Sequence, residues 1–187
     1  MRKYSLTQMC ILIFLISVFT FVSTEYAEAQ SQIKADPKDV ETLDGIIDAL
    51  YESISGPAGH ERQWDKFRSL FISDARLMPI AVPAGSPAAV RILQVEDFIT
   101  NANSNMVANG FFEREISRKT ESFGHMAHIF TTYESKRTWE DKEPFARGIN
   151  SVQLLNDGSR WWIVSIFWDS ERPGQPLPEK YLTKKGG

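Results

Sequence analysis

The stretch Phe145–Glu171, FARGINSVQLLNDGSRWWIVSIFWDSE, holds two apolar-rich segments separated by Asp157-Gly158. Asp-Gly between alternating segments is a strong short-range hairpin signal, so the stretch reads as two β-strands joined by a tight turn. Facing Leu155 with Arg160 pairs Leu154 with Trp161, Val152 with Ile163, Asn150 with Ser165 and Gly148 with Phe167. One face then carries Leu154, Val152, Trp161, Ile163 and Phe167, with Asn150 and Ser165 as a polar pair among them. The other carries Arg147, Gln153, Trp162, Val164, Ile166 and Trp168. The first face reads as a core with a polar spot, which is how small-molecule pockets are lined. The register is sensitive: a slip of one residue turns every side chain to the opposite face.

Two further strands precede the hairpin, at 111–122 and 126–138, joined by short turns. Pairing Thr138 with Phe145 sets Tyr133 opposite Asn150 and places Ile129, Thr131 and Ser135 on the core face. Pairing Ser122 with His125 sets Arg114 opposite Tyr133. Arg114, Tyr133, Asn150 and Ser165 then form one polar row across the apolar face. A fixed charge, a hydroxyl and an amide in line suit an anionic or carbonyl-bearing ligand. The competing reading is an internal hydrogen-bond network, or a slip that puts these groups outside. In this register Glu113 and Glu115 lie on the other face beside Glu134 and Arg147, as solvated cross-strand pairs. A slip in the first hairpin turns Glu115 inward, where a buried carboxylate is a candidate general base.

Upstream, Asp36-Pro37 reads as a helix N-cap followed by Pro at the first helical position. Val40, Leu43, Ile46, Ile47, Leu50, Tyr51 and Ile54 make one apolar helical face that ends at Gly56-Pro57. A second short helix carries Trp64, Phe67, Leu70 and Phe71 on one face, with Trp64 the candidate to look into a cavity. A short strand at 75–80, a Pro/Ala/Gly-rich loop at 82–90 and a third helix at 94–107 follow; Asp97 reads as a capping residue. Helices first and an antiparallel meander afterwards make an α+β fold: a cone-shaped, curved antiparallel sheet with about three helices packed on one face.

This order, together with WDKFRSLF (64–71), DARLMP (74–79) and the closing DG-x-x-W hairpin, resembles the nuclear-transport-factor-2-like superfamily and, within it, the SnoaL-like branch. The resemblance spans 37–170. It implies a cone-shaped sheet with helices enclosing a pocket, and frequent dimerisation through the sheet's outer face. It also implies a range of roles, from isomerases, cyclases and dehydratases to members without chemistry. Catalytic members commonly place an Asp or an Asp–His pair in the cavity, and no Asp falls on the core face here.

The N-terminus carries Arg2 and Lys3, an apolar run at 10–22 and Ala27-Glu28-Ala29, the pattern of a secretory signal peptide at 1–29 cleaved before Gln30. The run is shorter than the ~20 apolar residues of a spanning helix. The expectation is an exported chain, periplasmic or secreted, with a polar lead-in at 30–36, one domain at 37–171 and a loose tail at 172–187. The only cysteine, Cys10, lies in the signal segment, so the domain holds together without disulfides. The net charge of −3 with both signs interspersed carries no nucleic-acid footprint. His60, His125 and His128 lack metal-ligand spacing, so no metal is expected, and no cofactor motif is present. Trp162, Val164, Ile166 and Trp168 on the outer face would form an apolar patch suited to a homodimer, unless the tail covers it. Three functions remain open: binding of a small, partly apolar molecule near Trp64, Arg114, Tyr133, Asn150, Ser165 and Phe167; an isomerase-, cyclase- or dehydratase-type enzyme using Tyr133, Arg114 and Glu115; or a dimeric interaction module.

Overall fold

The structure is a computed structural model that describes residues 33–182; the segment at 1–29 expected to be a signal peptide, with residues 30–32 and 183–187, lies outside the described residues. Four helices precede or interrupt six strands. Helix α1 (Pro37–Val40) is capped by the Asp36 carboxylate, which accepts from the Lys38 N–H at 3.2 Å. The single helix expected over 37–54 is two. Thr42 is extended and caps α2 (Leu43–Ile54), its hydroxyl accepting from the Gly45 N–H at 2.9 Å. The two helices pack closely there, because a side chain at Gly45 would run into the Lys38 carbonyl. Helix α3 (Trp64–Ser69) leads directly into strand β1 (Phe71–Ala81). A two-residue strand β2 (Ala89–Val90) interrupts the Pro/Ala/Gly-rich loop, and α4 (Val95–Asn109) follows, opened by a capping box between Gln94 and Asp97.

Strands β3 (Phe112–Phe123), β4 (Met126–Lys136), β5 (Ala146–Asn156) and β6 (Trp161–Ser170) form the expected meander. The sheet order is β2-β1-β6-β5-β4-β3. Strand β1, longer than expected, runs parallel to β6, so the sheet is mixed rather than wholly antiparallel. Helices cover its concave side. Ile46, Ile47 and Leu50 of α2, Phe67 of α3, Leu77 of β1 and Ile129, Val152, Leu154 and Ile163 of the meander are at most 3% exposed and make the core. Phe67 lies at its centre, with ring centres 4.7 Å from Phe71 and 5.4 Å from Phe98.

Two bulges set which side chains enter that core. In the last hairpin Leu154 pairs with Ile163 but Gln153 pairs with Ser165, leaving Val164 as an extra residue. Beyond it the alternation reverses. Ile166 is buried and Trp168 packs on the core, while Ser165 and the 41% exposed Phe167 lie on the outer face. The register also starts two residues away from that expected, Leu154 facing Ile163 rather than Trp161. With the bulge, Asn150 therefore faces Trp168 rather than Ser165, and Gly148 faces Ser170 rather than Phe167. In the first hairpin Glu115 pairs with Tyr133 and Ser117 with Thr132, so Ile116 is the extra residue. Glu113 and Glu115 therefore share the concave face with Tyr133, and Arg114 does not. Between β4 and β5 the partners are shifted by two residues from those expected, Tyr133 facing Gly148, which leaves the faces unchanged.

The chain after β6 lies along the outer face. Arg172 bonds Asp169 at 2.6 Å, the Leu177 N–H donates to Glu171, and the Thr132 hydroxyl donates to the Tyr181 carbonyl at 2.8 Å. The tail expected to be loose is thus tied down as far as Leu182. A cavity of about 350 Å³ remains between it and Phe130, Ile149 and Phe167. Among the described residues no helix is long and apolar enough to cross a membrane.

The bulge at Val164 makes neighbouring substitutions unequal. Ile166→Ala is expected to cost about 3 kcal/mol in urea unfolding, and Phe167→Ala about 1 kcal/mol. The reverse order would place the register back where the unbulged hairpin puts it.

Candidate functional site

Two cavities meet at a pair of residues, Tyr51 and Glu113. An open groove of about 720 Å³ runs between α2 and the first half of β3, walled by Asp48, Tyr51, Glu52, Glu113, Glu115 and Trp139. A smaller inner cavity of about 120 Å³ lies between helices and sheet, lined by Tyr51, Glu113, Tyr133, Asn150, Phe98 and Trp168 among others. The groove is of ordinary ligand-pocket size, whereas the inner cavity has room for about four water-sized groups.

Glu113 is the chemically notable group. Strand β3 aims its side chain inward because the bulge at Ile116 reverses the alternation ahead of it. Its backbone is fixed by Ser55, whose hydroxyl accepts from the Glu113 N–H at 2.9 Å. The carboxylate accepts one hydrogen bond, from the Ser135 hydroxyl at 2.6 Å. Glu113 is only part-buried by surface, yet it lines both cavities and is hemmed in by Tyr51, Tyr133 and Ser135. Loss of hydration pushes its carboxyl up to about 7, and the Ser135 bond opposes this only in part. No lysine or arginine contributes to holding the charge.

The hydroxyls around it stay protonated. Burial raises Tyr51 above the usual tyrosine range, with the Glu113 charge adding to the effect. Burial likewise pushes Tyr133 up to about 12, against a 2.9 Å hydrogen bond with Ser170. Tyr51 joins the sheet by pairing its hydroxyl with Thr131 at 3.1 Å and accepting from the Asn150 amide at 3.2 Å. Gly148 allows Tyr133 to lie across β5, since a side chain there would collide with the Tyr133 ring and the Asp169 carbonyl. Arg118 crosses the same face further along, bonded to Glu115 at 2.7 Å and to Asp44 at 2.8 Å.

The polar row expected from the sequence is not assembled. Tyr133 and Asn150 are in the inner cavity. Arg114 lies on the other face, its side chain 58% exposed and bonded to Glu134 at 2.6 Å, where it borders the groove. Ser165 and Phe167 are on the convex side. Glu115 is turned inward, as the slipped register anticipated, but by a bulge, and it is paired with Arg118. Trp64 donates its indole N–H to Asn103 at 2.9 Å and packs edge-on to Phe67, lining neither cavity. Of the four residues expected at the outer interface, Ile166 and Trp168 face the core. Trp162 lies outside beneath the Arg160 guanidinium and donates to the Asp157 carboxylate at 2.6 Å. Reading the sequence missed Glu113, Tyr51, Ser135 and Trp139. The sign of Tyr51 was present, as the one hydroxyl on an otherwise apolar helical face. Among the described residues no group of three or more His, Cys, Asp or Glu is placed to hold a metal ion.

No protein-family model and no curated protein matches the chain. Solved structures do. An NTF2-like protein of unknown function from Methylobacillus flagellatus KT is 20% identical, with a TM-score of 0.46 over 70% of this chain and 92% of that one. Another from Silicibacter pomeroyi DSS-3 is 14% identical, with a TM-score of 0.48 over 69% and 92%. A protein described as a putative ketosteroid isomerase, from Parabacteroides distasonis ATCC 8503, is 15% identical, with a TM-score of 0.45 over 73% and 98%. Helices lead into a curved, unclosed sheet that holds them in its concavity, which is the α+β cone expected from the sequence. Nothing in these likenesses singles out the SnoaL-like branch, and they carry no activity.

Because the folded state holds the Glu113 proton more tightly than the unfolded chain, this group's contribution to stability is complete below pH 4.5 and lost as pH rises through about 7. Glu113→Gln is expected to remove roughly 3 kcal/mol of pH dependence across that window, read by urea unfolding at a series of pH values. Equal pH dependence in both proteins would place the carboxyl back at its ordinary value. Separately, Gly148→Ala is expected to destabilise by roughly 2 kcal/mol and to shift the Tyr133 ring resonances. An unchanged Tyr133 spectrum would show that the close approach does not constrain it.

Proposed function

We propose that the chain binds a small, partly apolar molecule in the groove and exchanges a proton with it through Glu113. The observation that carries this reading is a carboxylate at the wall between two cavities, with one hydrogen bond and no cation, poised to titrate near neutral pH. A base of that strength works at neutral pH without being either permanently charged or permanently neutral. Tyr51, which lines the groove beside it, remains protonated, as does Tyr133 in the inner cavity. Proton abstraction of the isomerase or dehydratase type is the reaction class this supports; binding without chemistry is the simpler form of the same reading. Export is proposed on the signal-peptide pattern of the first 29 residues.

The test needs no knowledge of the natural substrate. Nitrobenzisoxazole, a neutral aromatic probe that opens when its ring C–H proton is removed, reports a base in an apolar site. The expected rate rises with pH through an inflection near 7 and falls about a hundredfold in Glu113→Gln. A rate equal in the two proteins would remove Glu113 from the reading.

A homodimer is the second proposal, supported by a row that keeps Trp162 of the four residues the sequence suggested and adds others. Phe123, Met126, Leu155 and Trp162 are successive cross-strand partners and form one row on the convex face. Phe123 is 80% and Met126 61% exposed. An apolar row of this kind suits burial against a second copy. Sedimentation is expected to give a dimer that Phe123→Ser with Met126→Ser converts to monomer; a wild-type monomer would contradict it.

A further inference from the structure

We propose that the molecule taken by the groove carries a cationic amine on an aromatic or apolar body; this rests on the binding reading above and names its ligand class. The groove is a cavity large enough for such a molecule, and the composition of its wall sorts ligands by charge. Asp48, Glu52, Glu113 and Glu115 line it, against a single lining cation, Arg114. Lys66 and Arg118 bond Glu52 and Glu115 but are not part of the wall. The charge of Arg114 is engaged by Glu134 at 2.6 Å. Counted together with these ion-pair partners, the carboxylates still outnumber the cations, Asp48, Glu52, Glu113, Glu115 and Glu134 against Lys66, Arg114 and Arg118. An anionic ligand would therefore meet an excess of negative charge.

The aromatic part of the groove points the same way through different physics. The rings of Trp139 and Phe112 stand 5.0 Å apart at 50°, and Trp139 is 46% exposed. The Arg114 guanidinium lies 6.0 Å from the centre of the Trp139 ring, at the outer limit of cation–π attraction. The electron-rich face of this indole is thus placed where a positive charge already approaches it. An ammonium entering the groove would sit between that face and the carboxylates of α2 and β3, while its apolar body covers Phe112 and Tyr51. Neutral ligands of the same shape keep the apolar contact and lose the charge terms; carboxylates of the same shape turn them unfavourable.

Three indole probes that differ only in the end group separate these effects: tryptamine, tryptophol and indolepropionate, titrated calorimetrically into the purified protein. Tryptamine is expected to bind tightest, tryptophol next, and indolepropionate about tenfold or more weaker than tryptamine. Asp48 and Glu52 are exposed on α2, so Asp48→Asn with Glu52→Gln leaves the fold intact. This double variant is expected to shrink the gap between amine and carboxylate to about threefold or less. Trp139→Ala is expected to weaken tryptamine more than tryptophol. Indolepropionate binding as tightly as tryptamine would overturn the proposal, as would a gap that survives the double variant. Equal binding of all three overturns the charge inference and leaves the binding reading standing. No binding by any of them also overturns the charge inference, and the binding reading then rests on the proton-abstraction assay alone.

Discussion

Everything in this site depends on a parity constraint: a strand presents alternate residues to opposite faces, and one inserted residue reverses the alternation. The chain uses that reversal twice, at Ile116 and at Val164. The first turns Glu113 and Glu115 into the concavity and Arg114 out of it. The second brings Ile166 and Trp168 onto the core and sends Phe167 to the far side. Without the first bulge the concave face would carry an arginine and a ligand pocket suited to anions. With it, the same residues make a carboxylate-lined groove.

The energetic consequence is concentrated in Glu113. Burying a carboxylate without a cation is costly, and the fold supplies only the Ser135 hydroxyl in return. By contrast, Glu115 on the same strand is matched by Arg118, and Tyr51 is matched by Thr131 and Asn150. With Tyr51 and Glu115 each held by two or more hydrogen bonds, the incomplete pairing is most marked at Glu113, which borders both cavities. Such an imbalance is more typical of a working group than of a packing element.

Much of the architecture was legible in the chain. The Asp157-Gly158 turn, the apolar face of α2 and the alternation of Ile129, Thr131, Tyr133 and Ser135 all lie where their patterns put them, because each is decided by local spacing. The bulges were not legible, since neither Ile116 nor Val164 differs in type from an ordinary strand residue. Among the strand residues each error of face lies beyond a bulge, which is why Tyr133 and Asn150 are on the expected face and Arg114, Ser165 and Phe167 are not. The pairings themselves start two residues away from those expected, a shift that leaves faces unchanged. The tail escaped for another reason. Its hold on the sheet is made by backbone groups of Leu177 and Tyr181 and by Arg172 with Asp169, contacts that composition does not foreshadow.

What sets this site apart is a single carboxyl on β3 held near neutrality by its surroundings. NMR titration of the Glu113 side-chain carboxyl, assigned through Glu113→Gln, addresses it directly. A midpoint near 7, moving further up in Ser135→Ala, is the result expected. A midpoint near 4.5, unmoved by that substitution, would contradict the account and return Glu113 to the rank of an ordinary surface acid.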